Sequence, residues 1–326
     1  MYVITGANGF IGSVLARQLN VLGEDDLILV DSVDPQTRPG PLSHAKYTDY
    51  LPSEGFPEIL RKNSWPRKIT AVFHMGACSS TTENDLEYLR KNNTEYSKSL
   101  FQICAELRVP YIYASSGAVY GDGTRGFDDS TPTEEFKPLN PYGWSKLHFD
   151  HWVLKEGFPQ APPLWAGLRF FNVYGPNEYH KGDMASLVYK AFQQIRQTKE
   201  LKLFRSFHPD YADGMQMRDF VYVKDISRWC LEILAKDSFN NGIYNMGFGK
   251  ARTWLDLADS IFSSLNLPVK INWVDPPENI RNQYQYFTEA KMDRWLAQGL
   301  SRPEWSIEEG VKDYIHNHLL QSDPYY

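Results

Sequence analysis

Tyr2-Val3-Ile4-Thr5-Gly6-Ala7-Asn8-Gly9-Phe10-Ile11-Gly12 sets a short buried-strand pattern against a turn rich in glycine, and Ile11, Val14, Leu15, Leu19 and Leu22 then recur at helical spacing. The order is strand, glycine turn, helix. Gly6, Gly9 and Gly12 suit a turn that is tight, that lets a pyrophosphate approach the backbone, and that packs helix on strand with no Cβ between them. Unpaired N–H groups at the helix start then face the phosphates. The next apolar run, Leu27-Ile28-Leu29-Val30, ends in Asp31, where a dinucleotide fold places an acid on the adenosine ribose. Asp31 alone favours NAD. Ser32 and Arg38 follow, and Arg38, in a Pro/Gly-rich loop, reads either as a solvated charge or as the partner of a 2′-phosphate.

Further along, Ala71-Val72-Phe73-His74 reads as another strand, and the small residues of Met75-Gly76-Ala77-Cys78-Ser79 suit a sheet edge beneath a ligand. His74 reads as a packed core histidine. Asn92 and Asn93 either contact the cofactor or cap a helix. The alternation predicts an α/β fold: a Rossmann-type doubly wound parallel sheet with a smaller α/β substrate-binding lobe. The expected dinucleotide domain is residues 1–170 with about 219–249 and 281–296, and the lobe about 171–218, 250–280 and 297–320. Residues 165–174 are expected to form one strand. Phe220-Val221-Tyr222-Val223 and Gly242-Ile243-Tyr244-Asn245 are expected to return to the main sheet, and residues 321–326 to fray.

With 326 residues, 42% of them hydrophobic, the chain can bury a substantial core. A net charge of −6 with scattered Lys and Arg carries no footprint for nucleic acid or an anionic membrane, though a small anionic ligand needs only a local pocket. Three cysteines with no C-x-x-C argue against a disulfide framework or zinc site, and no metal is expected. Strand-forming residues from Tyr2 onward and no long apolar stretch lead to the expectation of a soluble, cytoplasmic protein. Nucleophile-elbow, His-Glu-x-x-His and phosphate-loop motifs are absent.

The chemistry is expected in the middle of the chain. Tyr142 and Lys146 are spaced i, i+4, one turn apart on a helix face. A phenol is a poor base at pH 7 unless a cation favours the phenolate, and Lys146 is the expected cation. Ser116, after the apolar residues 109–114, is placed to hydrogen-bond the same substrate oxygen. Three side chains then converge on one C–O bond.

Thr5-Gly6-x-x-Gly9-Phe10-x-Gly12, Ser115-Ser116 before Val119-Tyr120-Gly121, Tyr142-x-x-x-Lys146 and Arg169-x-x-Asn172-Val173-Tyr174-Gly175-Pro176 together resemble the extended short-chain dehydrogenase/reductase family acting on nucleotide sugars. Residues 76–83, His180-Lys181-Gly182-x-Met184-Ala185-Ser186 and residues 218–223 are similar to its ADP-heptose 6-epimerase branch. The resemblance implies redox-neutral, NADP-dependent inversion at C6″ of ADP-D-glycero-D-manno-heptose through a transient ketone, by a homo-oligomer that is pentameric in the family. Inversion requires the carbonyl to turn between hydride removal and return, so a second proton-transfer group is useful on the far side. By resemblance that group is Lys181. The resemblance assigns cofactor contacts to Phe10, Ile11, Asp31, Ser32, Arg38, Met75, Gly76, Ala77, Cys78, Ser79, Asn92, Lys146, Val173 and Lys181. It assigns substrate contacts to Ser79, Asn172, Asp183, Lys190, Phe204, Ser206, Arg218 and Tyr284.

Some positions depart from that pattern. Ser53 stands where the best-known members have a lysine near the 2′-phosphate, which leaves Arg38 as the main cation and NAD as the alternative cofactor. Asp183 and Lys190 replace a serine and a histidine, and residues 207–217 form a longer loop than in the shortest members. A UDP-hexose 4-epimerase would not call for the His180-Lys181-Gly182 segment. A 4,6-dehydratase needs an acidic pair where Gly117 and Ala118 follow Ser116. A non-catalytic dinucleotide sensor has no use for Ser116, Tyr142 and Lys146 together.

Overall fold

Strands β1 (Tyr2–Thr5), β2 (Leu27–Asp31), β3 (Asp49–Pro52), β4 (Ala71–His74), β5 (Tyr111–Ser116) and β6 (Trp165–Phe170), with Gly242–Met246, make one seven-stranded sheet. The computed structural model describes residues 1–157, 160–278 and 285–326. Across the sheet the order is Gly242–Met246, β6, β5, β4, β1, β2, β3, and every pairing is parallel. The doubly wound sheet is thus present as the sequence predicts. Consecutive residues divide between the two faces. Val3, Ile28, Val72, Tyr111, Trp165 and Ile243 pack in one core cluster, and their neighbours Ile4, Leu29, Phe73, Ile112, Ala166 and Tyr244 in another. Both faces are covered, which is why β4 and β6 are buried along their whole length. Burying each such side chain contributes roughly 1.5–3 kcal/mol.

At the carboxyl ends of β1 and β4 the strand order reverses, which opens a crevice. Helix α1 (Phe10–Val21) leaves from one side of it. A third core cluster, including Tyr174, Phe192, Leu203, Phe262 and Val311, lies apart from the sheet under the helices Leu187–Thr198, Trp254–Ser264 and Ile307–Tyr314. Among the described residues no helix is long and apolar enough to cross a membrane.

Two expectations about strands are corrected. The run 165–174 breaks at Phe171, whose N–H still bonds Met246 O, after which Asn172–Tyr174 pairs with Phe220–Tyr222 instead. Phe220–Tyr222 therefore forms a separate two-stranded ribbon and does not rejoin the main sheet. Residues 321–326 do not fray. Tyr326 donates its backbone N–H to Asn177 Oδ1 at 2.9 Å, and Pro324 O accepts from Tyr179 Oη at 2.7 Å.

Candidate active site

The glycine turn is fixed by contact. Gly6 sits at φ +66°, and a Cβ there would lie 2.5 Å from Gly76 Cα, while one on Gly12 would lie 2.2 Å from Gly6 O. β1, β4 and α1 meet too closely for any side chain. Gly9 precedes α1 with no side chain capping it, which leaves first-turn N–H groups facing the crevice. At the end of β2, both carboxylate oxygens of Asp31 accept backbone N–H groups, from Asn8 to Oδ2 and from Val33 to Oδ1, each at 3.0 Å. Asn8 also donates to Arg38 O at 3.1 Å, and Arg38 Nη2 donates back to Asn8 O at 2.5 Å. Arg38 Nε is buried with no partner among the described residues. A cradle that excludes Cβ atoms, uncapped helix N–H groups and an orphaned guanidinium N–H together suit an anionic dinucleotide.

A buried relay sets the crevice floor. Ser97 Oγ donates to Asn93 O at 2.8 Å, so it accepts from His74 Nε2 at 2.8 Å, and His74 Nδ1 is left to accept the Thr5 hydroxyl at 2.6 Å. Burial holds His74 down to about 3, so it stays neutral. Asn93 then pairs with both Cys78 N and Cys78 O, at 2.8 and 3.0 Å, and donates to Ser145 Oγ at 2.9 Å. Ser145 Oγ donates to Tyr142 O at 2.7 Å, which ties the Met75 to Ser79 segment to the helix that carries Tyr142. Asn93 is thus a linker, whereas Asn92 lines the crevice.

That helix, Pro141–Trp152, begins where Asn140 Oδ1 accepts from Gly143 N at 2.8 Å, with proline at the first position. Tyr142 falls in its first turn and Lys146 one turn on. Lys146 Nζ donates to Ala114 O at 2.9 Å. Burial pulls Lys146 down to about 8, opposed by Asp150 and Cys78. Burial raises Tyr142 above its ordinary value, and a hydrogen bond from Ser116 opposes that shift. Ser116 Oγ already accepts from Ala118 N at 3.1 Å, so its own proton is free to donate to the phenol oxygen. Lys146, the cation expected to favour the phenolate, is held on the Ala114 carbonyl one helical turn from Tyr142.

Beneath these groups Asp150, fully buried, accepts from Tyr113 Oη (3.0 Å), Ser115 Oγ (2.9 Å) and Arg169 Nε (3.1 Å), bracing the end of β5.

Lys181 comes from a separate turn, Tyr179–Met184. Its ammonium stands 5.4 Å from the Phe10 ring centroid. Burial lowers its pKa and Glu178 opposes the shift. Glu178 is itself buried and holds the turn, accepting from Ser186 Oγ at 2.7 Å and from Gly175 N at 3.2 Å.

Ser116, Tyr142, Lys146 and Lys181 all line one cleft of about 720 Å³, together with Val173, Asn172, Ser79, Lys190 and Phe204. An adjoining space of about 620 Å³ is lined by Gly6, Gly9, Phe10, Ile11, Gly12, Asp31, Ser32, Arg38, Met75, Gly76, Ala77, Cys78, Ser79 and Asn92. Lys181 lines both. Among the described residues the larger cleft is lined by four lysines, Lys146, Lys181, Lys190 and Lys202, and by no Asp or Glu.

Three residues expected at the substrate do not line it. Asp183 points its carbonyl to Lys190 Nζ at 3.2 Å. Ser206 is turned into its own loop, with N–H to Asp213 Oδ1 at 2.7 Å and hydroxyl to His208 O at 3.3 Å. Arg218 has its guanidinium 5.6 Å from the Trp254 ring centroid, and Trp254 lines the cleft. Tyr284 lies outside the described residues. Sequence reasoning missed Thr81, Gln194, Lys202 and Trp254. Two of these carried a signal. Lys202 alternates with buried Leu201 and Leu203, which puts it on the face of Phe204, and Gln194 is i, i+4 from Lys190 on helix Leu187–Thr198.

A doubly wound sheet with a Ser, Tyr and Lys grouping beside a glycine cradle is the architecture of nucleotide-sugar enzymes using a nicotinamide dinucleotide. Residues 2–247 match the NAD dependent epimerase/dehydratase family, and the chain belongs to it. It is 45% identical to the ADP-L-glycero-D-manno-heptose-6-epimerase of Nitratidesulfovibrio vulgaris (strain DP4), over the whole of both chains. Its fold matches the crystal structure of Helicobacter pylori ADP-L-glycero-D-manno-heptose-6-epimerase at a TM-score of 0.77 and 27% identity, covering 97% of this chain and 95% of that one. The dTDP-glucose 4,6-dehydratase of Bacillus anthracis in complex with NAD, at 20% identity and a TM-score of 0.78 over 99% and 98% of the chains, shares the fold alone.

Proposed function

We propose that this chain catalyses redox-neutral epimerisation at C6″ of ADP-D-glycero-D-manno-heptose to ADP-L-glycero-D-manno-heptose, with NADP as its bound cofactor. Two proton-transfer groups on separate segments, Tyr142 and Lys181, line one cleft, and that arrangement carries the reading. The full-length similarity to ADP-L-glycero-D-manno-heptose-6-epimerases supports it.

When bound, a nicotinamide dinucleotide takes up and returns the hydride. The chain's own residues manage the proton and the orientation of the sugar. Ser116 favours the phenolate of Tyr142, which accepts the proton of the sugar hydroxyl as the carbon bearing it gives up its hydride. Lys146, protonated at pH 7, supplies positive charge one helical turn away. After the carbonyl turns, its oxygen faces Lys181, whose lowered pKa makes it a readier acid than a solvated lysine. Lys190 and Lys202 bind the diphosphate, in a cleft lined by no carboxylate among the described residues.

The NADP assignment is supported by the buried Nε of Arg38, which has no partner among the described residues, and by Asp31, whose oxygens are both engaged by backbone N–H groups. Releasing the bound nucleotide by denaturation and identifying it tests this; NAD(H) alone would overturn it. The dinucleotide domain is assigned to 1–170 with about 219–249 and 281–296, supported by the two clusters on the sheet. The substrate lobe is assigned to about 171–218, 250–280 and 297–320, supported by the third cluster. A cytoplasmic homo-oligomer, pentameric by family resemblance, completes the reading, and light scattering gives its mass. Incubation with ADP-D-glycero-D-manno-heptose followed by NMR should yield the C6 epimer. Bound nucleotide without conversion would favour a sensor.

A further inference from the structure

Residues 323–326 are wedged between parts of the site that come from distant stretches of the chain. The ring of Tyr325 lies on Gly40, where an added Cβ would come within 2.0 Å of it, and packs edge-on against Tyr179 with centroids 5.2 Å apart. Tyr326 donates its hydroxyl to Gln18 Oε1 of α1 at 2.9 Å, and its ring packs on the cluster of Phe10, Val14 and Val223. Phe10 is the ring beneath the Lys181 ammonium.

Asn177 joins these pieces. It is fully buried and sits at φ +74°, a conformation that costs a non-glycine residue on the order of 1 kcal/mol. Its carboxamide is fully used. Nδ2 donates to Ser13 Oγ of α1 at 3.0 Å and to Pro41 O at 3.3 Å, and Oδ1 accepts from Tyr326 N. Gly40 and Pro41 follow Arg38 by two and three residues, and Asn177 precedes Lys181 by four. The loop that presents Arg38 and the turn that presents Lys181 are thus fastened to each other through Asn177 and Tyr325.

We propose that Asn177 and Tyr325 are positioning residues that lock the Arg38 loop to the Lys181 turn, so that a 2′-phosphate held at Arg38 and the proton-transferring ammonium are set as one body. This rests on the NADP reading. A merely structural role would weaken every nucleotide alike, whereas this lock acts on the 2′-phosphate and on turnover together.

The test is calorimetric titration of 2′,5′-ADP and of 5′-AMP, which lacks the 2′-phosphate, into wild type, Asn177→Gly and Tyr325→Ala stripped of bound nucleotide, with kcat measured alongside on the loaded enzymes. Asn177→Gly relieves the backbone while deleting the carboxamide, so a loss there is not strain. Both variants should lose affinity for 2′,5′-ADP by about tenfold, on the scale of couplings carried by packed networks. Affinity for 5′-AMP should stay within about twofold and kcat should fall in step. Tyr325→Phe, which keeps the ring on Gly40, should retain wild-type values. Equal losses for both probes, or unchanged 2′,5′-ADP affinity in variants with wild-type circular dichroism, overturn the proposal. A wild type that binds the two probes equally removes the 2′-phosphate reading itself, and the proposal with it.

Discussion

Replacing Lys146 by methionine should make the protein more stable while removing its activity. The side chain is 5% exposed, and burial brings its pKa from 10.5 to about 8. At ~1.4 kcal/mol for each power of ten, that gap opposes folding by about 3 kcal/mol at pH 7. Methionine fills a similar volume with no charge to desolvate, and losing the bond to Ala114 O gives back about 1 kcal/mol, for a net gain of about 2 kcal/mol. Unfolding entropy for a chain of this length is about 0.7 kcal/mol/K, so Tm should rise by about 3 °C. The sign with pH follows from linkage. Between about pH 8 and 10.5 the unfolded chain binds more protons at this site than the folded one, so wild-type stability gains with rising pH there. The advantage of Lys146→Met is therefore complete below about pH 8 and is gone by about pH 10, where the remaining desolvation cost has fallen to the ~1 kcal/mol of the lost hydrogen bond. Differential scanning calorimetry at pH 7 and pH 10 measures both numbers. A variant that melts below wild type at pH 7, or a difference in Tm equal at the two pH values, refutes the reasoning.

Tyr142→Phe should cut turnover by roughly 10²–10⁴ with nucleotide still bound, as measured by NMR of the product. Lys181→Met should do so by a similar factor, and near-normal turnover would remove Lys181 from the mechanism. Arg169→Met strands the carboxylate of Asp150 in the core and should destabilise by about 3–5 kcal/mol in denaturant titration, with Asp150→Asn added to it restoring part of the loss. Gly12→Ala places a methyl 2.2 Å from Gly6 O, so the purified protein should carry no nucleotide when denatured and its extract chromatographed.

Much of the sheet and of the cofactor cradle was legible because the signals are local. Gly6, Gly9 and Gly12 stand between a strand and a helix, and Tyr142 and Lys146 lie one turn apart on a single helix. The substrate side was less legible because it is assembled from afar. Apart from the family resemblance, nothing in His180-Lys181-Gly182 separates a cleft lysine from a surface turn; the buried carboxylate of Glu178, bonded to Ser186 and Gly175, holds that turn in place. Arg218 read as a ligand for phosphate, whereas Trp254, remote from it in sequence and 5.6 Å from its guanidinium by ring centroid, lines the cleft without having carried a signal. Residues 321–326 looked frayed since the partners of this segment, Gly40, Asn177 and Tyr179, are remote in sequence.

The large cleft, lined by lysines and by no carboxylate among the described residues, has a kinetic consequence. With a net charge of −6 the molecule repels a diphosphate at long range, while lysines inside the cleft attract it at short range. Added salt damps the long-range repulsion first, since at about 0.1 M the Debye length is about 10 Å. Association should thus quicken as ionic strength rises from very low values and slow again once the lysines themselves are screened, which makes the enzyme fastest in a middle range of salt.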